Sequence, residues 1–284
     1  MRVIFLCHQG LGDHIVMNGL IHSFIKQHKT NLDELCIIAR DHYCRKTLEH
    51  LYSDYPIVTF HWINSSENEK DPVFQQLNQK PLGTLVHYNG KEYMGINFGF
   101  HSVYYFLNIP KMPEHLSWVD YLYDYPFRLS SILRFTEFHL PSNLSAAQTK
   151  YEEFLKIVGP KGYVVVHDEP NRKRIIDKNI ITSLLQQDDM LELPVIYLGL
   201  NRYSQPLIEG LNNKDCSKVV ENESLFDLYY ILKNASACHL MCSSIACLID
   251  CANFQNKLYM HSYIFEGGGT SFVRSPWVRI VKAG

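Results

Sequence analysis

The chain of 284 residues has no excess of charge of either sign: 27 Lys and Arg stand against 29 Asp and Glu, a net −2. That excludes a nucleic-acid binder whose affinity rests on a broad basic face. No apolar run approaches the roughly 20 residues that cross a bilayer, so no transmembrane segment is expected, and peripheral membrane contact stays open. A signal peptide is not expected either, because Arg2 is followed by a short apolar run and then His8-Gln9-Gly10, without a small-residue cleavage site. Cys-x-x-Cys, Asp-x-Asp and His-Glu-x-x-His are all missing, although the chain has 8 Cys and 14 His. No metal site and no metal cofactor are therefore expected. Cys7, Cys36, Cys238, Cys242, Cys247 and Cys251 lie in apolar stretches, as reduced core thiols of a cytoplasmic compartment do. A Gly-x-Ser-x-Gly elbow and a phosphate loop ending Gly-Lys-Ser/Thr are also absent.

Apolar residues are plentiful, at 46% against 20% charged, enough for a sizeable core. They fall into alternating strands and helices. Val3–Cys7 reads as a strand, and Met17, Leu20, Ile21 and Phe24 form the apolar face of a helix behind it. Leu35–Ala39, Ile57–Phe60 and Thr84–His87 read as further strands, with a helix over Asp41–Asp54. Punctuation by Pro141, Ser142 and Asn143 then breaks the pattern, and we place a domain boundary at 140/141. A second alternating set follows. Its expected strands are Gly162–His167, Leu193–Gly199, Cys238–Cys242 and Lys257–His261. Its expected helices are Thr149–Val158, Ile175–Gln187, Ser224–Asn234 (with Ser224 as N-cap) and Ser244–Ala252. Such alternation means α/β domains built on parallel sheets. Ligands of such sheets lie at the carboxyl ends of the strands, where the Gly10 turn and His87 are expected together.

Four stretches carry candidate chemistry. In the first, His8-Gln9-Gly10-Leu11-Gly12-Asp13-His14, a strand leads through two glycines into a helix. A helix N-terminus favours anions, yet Asp13 already places an acid there. That suits a helix cap or a general base better than a phosphate cradle. The dinucleotide fingerprint is also incomplete, with Ile15 where a third small residue belongs. The second stretch, Tyr88 to Phe127, is crowded with aromatics; these are core packing or planes for the apolar faces of sugar rings. The third, His167-Asp168-Glu169-Pro170-Asn171-Arg172-Lys173-Arg174, follows a buried strand. Arg172 and Arg174 there are able to fork onto phosphate oxygens. In the fourth, Ser243 and Ser244 open a helix whose stripe is Ile245, Leu248, Ile249 and Ala252, leaving hydroxyls and N–H groups at its positive end.

The strand-Gly-x-Gly-Asp-helix start, with the Ser243–Ser244 helix near the other end, resembles the heptosyltransferase-like family 9 glycosyltransferases. The second match is partial: Cys242 stands for the family's leading acid, Ser244 for its glycine and Leu248 for its helix histidine. The tail also departs from the pattern, ending on a strand-like Trp277–Val281 instead of a crossing helix. The resemblance implies a GT-B-like architecture, two Rossmann-like domains facing a cleft, with 1–140 on the acceptor side and 141–284 on the donor side. It implies an inverting, metal-independent transfer from a nucleotide sugar to a glycan or other hydroxyl acceptor, with Asp13 as general base. Gly10, Gly12, His167, Asp168, Arg172, Arg174, Ser243 and Ser244 become donor contacts, and His14, Tyr88 and Tyr93 acceptor contacts. The alternatives are a non-catalytic nucleotide-sugar or glycan-binding protein and an epimerase-like enzyme of the same fold. Sugar, nucleotide base and acceptor stay open.

Overall fold

The computed structural model describes residues 1–7, 10–41, 45–64, 70–78, 80, 83–97, 123, 129–168, 176–198, 212–214, 216, 223–241, 243–263 and 278–282. The chain divides into two compact units, Met1–Ser142 and Asn143–Gly284.

The first unit is built on β1 (Arg2–Leu6), α1 (Leu11–Gln27), β2 (Glu34–Arg40), α2 (Arg45–Leu51), β3 (Val58–Ile63), α3 (Pro72–Leu77), β4 (Thr84–Tyr88), β5 (Lys91–Asn97) and α4 (Leu133–Thr136). Its sheet has the order β3-β2-β1-β5-β4. β1, β2, β3 and β5 are mutually parallel, and β4 is antiparallel to β5. Val3, Ile4, Phe5 and Leu6 are all fully buried because β1 is covered on both faces. Ile4 and Leu6 join Phe74, Leu77 and Tyr93 in one cluster. Phe5 faces the other way and meets Phe24 of α1 edge-on, ring centroids 5.4 Å apart. Burying each such large apolar side chain is worth roughly 1.5–3 kcal/mol.

One expectation is corrected here. The strand ending at His87 does not run with the others: Asn89 (φ 48°) and Gly90 (φ 72°) make a two-residue turn. Positive φ at both central residues is the type I′ hairpin geometry, for which Asn-Gly is the preferred pair. β5, at the start of the aromatic stretch, therefore returns antiparallel, and its parallel partner is β1. The carboxyl end of β4, with His87 and Tyr88, lies at the amino end of the parallel strands, away from the Gly10 turn. β4 forms the sheet edge, and Gln76 closes on its backbone: His87 N–H donates to Gln76 Oε1 (2.8 Å) and Gln76 Nε2 to the His87 carbonyl (3.1 Å).

α1 is buried almost all round, beyond the single apolar face that its sequence period suggests. α4 covers its far side at Gly19, where an added Cβ would stand 2.2 Å from the Leu133 carbonyl oxygen. The segment leaving this unit is tied down as well. Asp54 accepts from Ser142 N–H (2.7 Å) and His139 Nε2 (2.8 Å), and Asn18 Oδ1 from His139 N–H (2.7 Å).

The second unit contains α5 (Ser145–Val158), β6 (Val164–His167), α6 (Lys178–Gln187) and β7 (Val195–Tyr197). A 3-10 turn Leu225–Leu228 then runs into α7 (Tyr229–Lys233), followed by β8 (Ala237–Met241), α8 (Ser244–Cys251), β9 (Lys257–Tyr263) and β10 (Val278–Lys282). Its sheet, β10-β9-β8-β6-β7, is parallel throughout. Val164, Val166, Met241 and Tyr259 pack with Ile181 and Leu185 of α6. Ser224 caps as expected, its Oγ accepting from Phe226 N–H at 3.3 Å, although the first turn it caps is 3-10. No described helix is long and apolar enough to cross a membrane.

Gly19→Ala tests the tight crossing of α1 and α4. Helix propensity favours Ala by about 1 kcal/mol, but the forced contact costs roughly 1–3 kcal/mol. Urea unfolding should therefore show a net loss of stability. An unchanged or higher midpoint would mean that α4 shifts aside at little cost.

Candidate functional site

In an open parallel sheet the ligand crevice lies at the carboxyl ends of two neighbouring strands whose connections leave in opposite directions. The first unit has such a point between β1 and β5. From β1 the chain steps outward to β2 and β3, then returns to place β5 on the other side of β1. The Gly10 turn leaves β1 at this point. Gly10 is extended (φ −77°, ψ 169°) and Gly12 already lies in α1. Neither needs a left-handed backbone; what they leave is a helix end with little side-chain cover.

Asp13 occupies that end. Its Oδ2 accepts from Gly10 N–H at 2.7 Å, and its own N–H donates to the Gly10 carbonyl at 3.1 Å. The side chain is half-buried. Burial raises its carboxyl from 3.8 to about 6, against the pull of the Gly10 N–H, its own N–H and the Arg40 guanidinium. A carboxylate with that value is ionised at neutral pH yet basic enough to take a proton.

The three acceptor candidates do not gather around it. His14 is buried at 1% exposure in the packing of α1. Tyr93 belongs to the core at 1% exposure, and its hydroxyl bonds the Glu34 carboxylate. Tyr88 packs on His61 (5.0 Å) and Tyr93 (5.9 Å). By register Tyr93 stands beside Arg2, since Met94 is opposite Val3. At about 3.3 Å per residue it is some ~13 Å along the sheet from Leu6 and the turn. The hairpin reversal at Asn89-Gly90 is the physical reason.

In the second unit the order reverses between β6 and β8. His167 ends β6 opposite Leu240, one residue before β8 ends at Met241. His167 Nδ1 donates to the Leu198 carbonyl, which fixes the ring. Asp168 is half-buried, and burial raises its carboxyl while His167 pulls it down. Across from them Ser243 caps α8, its Oγ accepting from Ala246 N–H at 3.4 Å. Cys247 N–H closes on the Ser243 carbonyl at 3.0 Å, so the N–H groups of Ser244 and Ile245 form the end outside the helical ladder. His167, Asp168, Ser243 and Ser244 thus lie at one edge of the sheet, where β6 and β8 end side by side. Arg172 and Arg174 lie outside the described residues.

Two features at these edges escaped the sequence reading. Arg40 ends β2, its charge acting on Asp13. His261 stands opposite Met241, and its Nε2 meets His239 Nδ1 at 3.1 Å. Burial depresses the pair to about 4 for His261 and about 3 for His239, so both are neutral at pH 7. The signal in each case was a polar residue closing an apolar run: Leu35–Ala39 before Arg40, Leu258–Met260 before His261. Among the described residues no group of three or more His, Cys, Asp or Glu side chains is placed to hold a metal ion.

No family model matches this chain, and no curated protein sequence matches it. Solved structures do. E. coli heptosyltransferase WaaC with ADP matches with a TM-score of 0.51 at 9% identity, over 100% of this chain and 94% of that one. A family 9 glycosyl transferase from Veillonella parvula matches at 0.55 and 10% identity, over 99% and 86%. The dodecameric iron-containing heptosyltransferase TibC, solved with ADP-D-beta-D-heptose, matches at 0.52 and 13% identity, over 98% and 64%. At such identities the likeness is one of fold, the two-domain α/β plan of GT-B-like glycosyltransferases.

The raised carboxyl of Asp13 has a consequence for stability with a definite sign. A folded-state value of about 6 above an unfolded 3.8 means that the native state binds the extra proton. The resulting stabilisation is complete below pH 3.8 and is lost as pH rises through 6. Asn carries no such proton, so Asp13→Asn should gain on wild type from pH 4 to pH 7, by about 1–3 kcal/mol. Paired urea titrations at the two pH values measure it. A constant difference would mean that Asp13 titrates as an ordinary surface carboxyl.

Proposed function

We propose that this protein is a glycosyltransferase that moves a sugar from a nucleotide-sugar donor to a hydroxyl acceptor. The observation that carries the reading is the contrast between the two strand-order reversals. One presents an ionisable carboxylate in the helix end where an anionic ligand would otherwise dock. The other presents an uncharged, serine-capped helix end that an anion can use. The fold shared with heptosyltransferase and family 9 structures supports the same reading.

In this mechanism Asp13 accepts the proton of the acceptor hydroxyl as that oxygen bonds to the anomeric carbon of the donor. The bond from that carbon to the diphosphate breaks, and the leaving diphosphate keeps its electron pair. A single displacement inverts the anomeric centre. The developing charge is met by the α8 N-terminus with Ser243 and Ser244, together with Arg172 and Arg174, electrostatics placed where the transition state needs them. The Asp168 carboxyl group, beside His167, suits donor hydroxyls better than its phosphates. No step calls on a metal ion. The bond from Gly10 N–H to Asp13 gives the acid a capping role as well, and this favours the second reading, a binding protein of the same fold without transfer.

Asp13→Asn separates the two. An amide oxygen still accepts from Gly10 N–H, so donor affinity should be nearly unchanged while turnover falls by about 100-fold or more. Equal loss of both would assign Asp13 to the cap alone. Transfer should also persist in excess chelator; loss of activity restored by magnesium or manganese would overturn the metal-independent mechanism.

A further inference from the structure

β4 is an outer strand of the first sheet, and an outer strand presents N–H and C=O groups to any further strand that arrives. Only part of β4 points outward. Tyr88 and Lys91 flank the two-residue turn and form its closing pair, and bonded pairs alternate along an antiparallel ladder. Tyr88, Val86 and Thr84 therefore bond inward to β5, while Leu85 and His87 turn their backbone groups out. A further strand would pair at these outward positions. Leu85 is the most exposed large apolar side chain among the described residues, at 63%.

Gln76 already occupies the other position. Its Oε1 accepts from His87 N–H at 2.8 Å, and its Nε2 donates to the His87 carbonyl at 3.1 Å. Exchanging both bonds with one residue is what a bonded pair in a neighbouring strand does, and here a side-chain amide does it. Nε2 also donates to the Pro72 carbonyl at 3.2 Å, which ties the amide to its own helix. That helix, α3, is held at both ends. Asp71 Oδ1 accepts from Val73 N–H (2.9 Å) and Phe74 N–H (2.8 Å), and Asn97 Nδ2 donates to the Leu77 carbonyl (3.0 Å). Val73, Phe74 and Leu77 share a core cluster with Val86, so packing against β4 itself delivers Gln76 to the edge.

We infer that Gln76 is a lock on this edge: its amide stands where a strand would pair and keeps the first sheet from joining a second copy of the chain through β4. A second copy is the partner that the edge fits. Set antiparallel about Val86, two β4 strands bring Leu85 of each opposite His87 of the other, so every outward backbone group is paired. The two Leu85 side chains then lie diagonally across the new pair on one face, within reach of each other. With the Gln76 amide in place, the pairing at His87 does not form, and Leu85 alone does not hold a strand.

The test uses the whole chain and needs no substrate. In the wild type, amide exchange followed by nuclear magnetic resonance reads the lock itself. After correction for intrinsic rates, His87 N–H should exchange about 3- to 10-fold more slowly than Leu85 N–H, because one is bonded and the other faces out. Equal rates overturn the inference without any variant. Gln76→Ala should bring the His87 rate up to that of Leu85. Its weight-average mass in sedimentation should climb with concentration towards twice that of wild type run alongside. Adding Leu85→Pro, which removes the outward N–H, should return the mass to the wild-type value. A folded Gln76→Ala chain that sediments like wild type at every concentration overturns the lock. A raised mass that persists with Leu85→Pro places the association on another surface and overturns it as well.

Discussion

The bond from Gly10 N–H to the Asp13 carboxylate decides what the N-terminus of α1 can do. A helix start carries roughly half a positive charge, and here a side chain of the helix itself has answered it, at 2.7 Å. A phosphate arriving at that turn would meet a like charge in place of open N–H groups. At α8 the same helix end is capped by the hydroxyl of Ser243, which neutralises nothing. Two helix starts of one general design thereby differ in charge, and the proposed function assigns the base to one and the donor phosphates to the other.

Both sites depend on strands that cannot shift. β1 and β6 are buried on both faces, and each is the strand beside which the order of its sheet reverses. Moving the Gly10 turn would drag Val3–Leu6 through a packed core; moving Asp168 would drag Val164–His167. Close packing is unforgiving of such changes. Arg40 and His167, at the ends of β2 and β6, and His261, within β9, borrow this rigidity. His167 is further fixed by its bond to the Leu198 carbonyl and the His261 ring by the His239 ring beside it.

Much of this arrangement is legible in the amino-acid sequence because buried parallel strands leave long apolar runs. Val3–Cys7, Leu35–Ala39 and Gly162–His167 announce themselves that way, and Ser243 before an apolar stripe announces the α8 cap. β5 does not. Lys91-Glu92-Tyr93-Met94-Gly95-Ile96-Asn97 has two charges, a glycine and a terminal amide, so neither run nor alternation stands out. Its signal was the preceding Asn89-Gly90 pair, and missing it reversed the inferred direction of the chain. Tyr88 and Tyr93 entered the acceptor set as aromatic planes for sugar rings, and the hairpin sets both toward the amino end of the parallel strands. Gly95 is small because Leu77 Cδ2 lies 2.3 Å from where its Cβ would stand, a packing constraint with no mark in the local pattern. The Arg40–Asp13 relation was out of reach for a similar reason. It joins residues far apart in the chain, and the pairing of β1 with β2 brings the ends of the two strands to one edge.

The central claim is that donor phosphates dock on the serine-capped helix of the second unit and not on the glycine turn of the first. Amide hydrogen exchange of the whole protein, with and without ADP, UDP and GDP in turn, measures this most directly. The account predicts that a bound nucleoside diphosphate slows exchange in peptides covering Ser243–Cys247 and leaves those covering Gly10–Asn18 unchanged. Protection of the Gly10 turn with none at Ser243–Cys247 would contradict it.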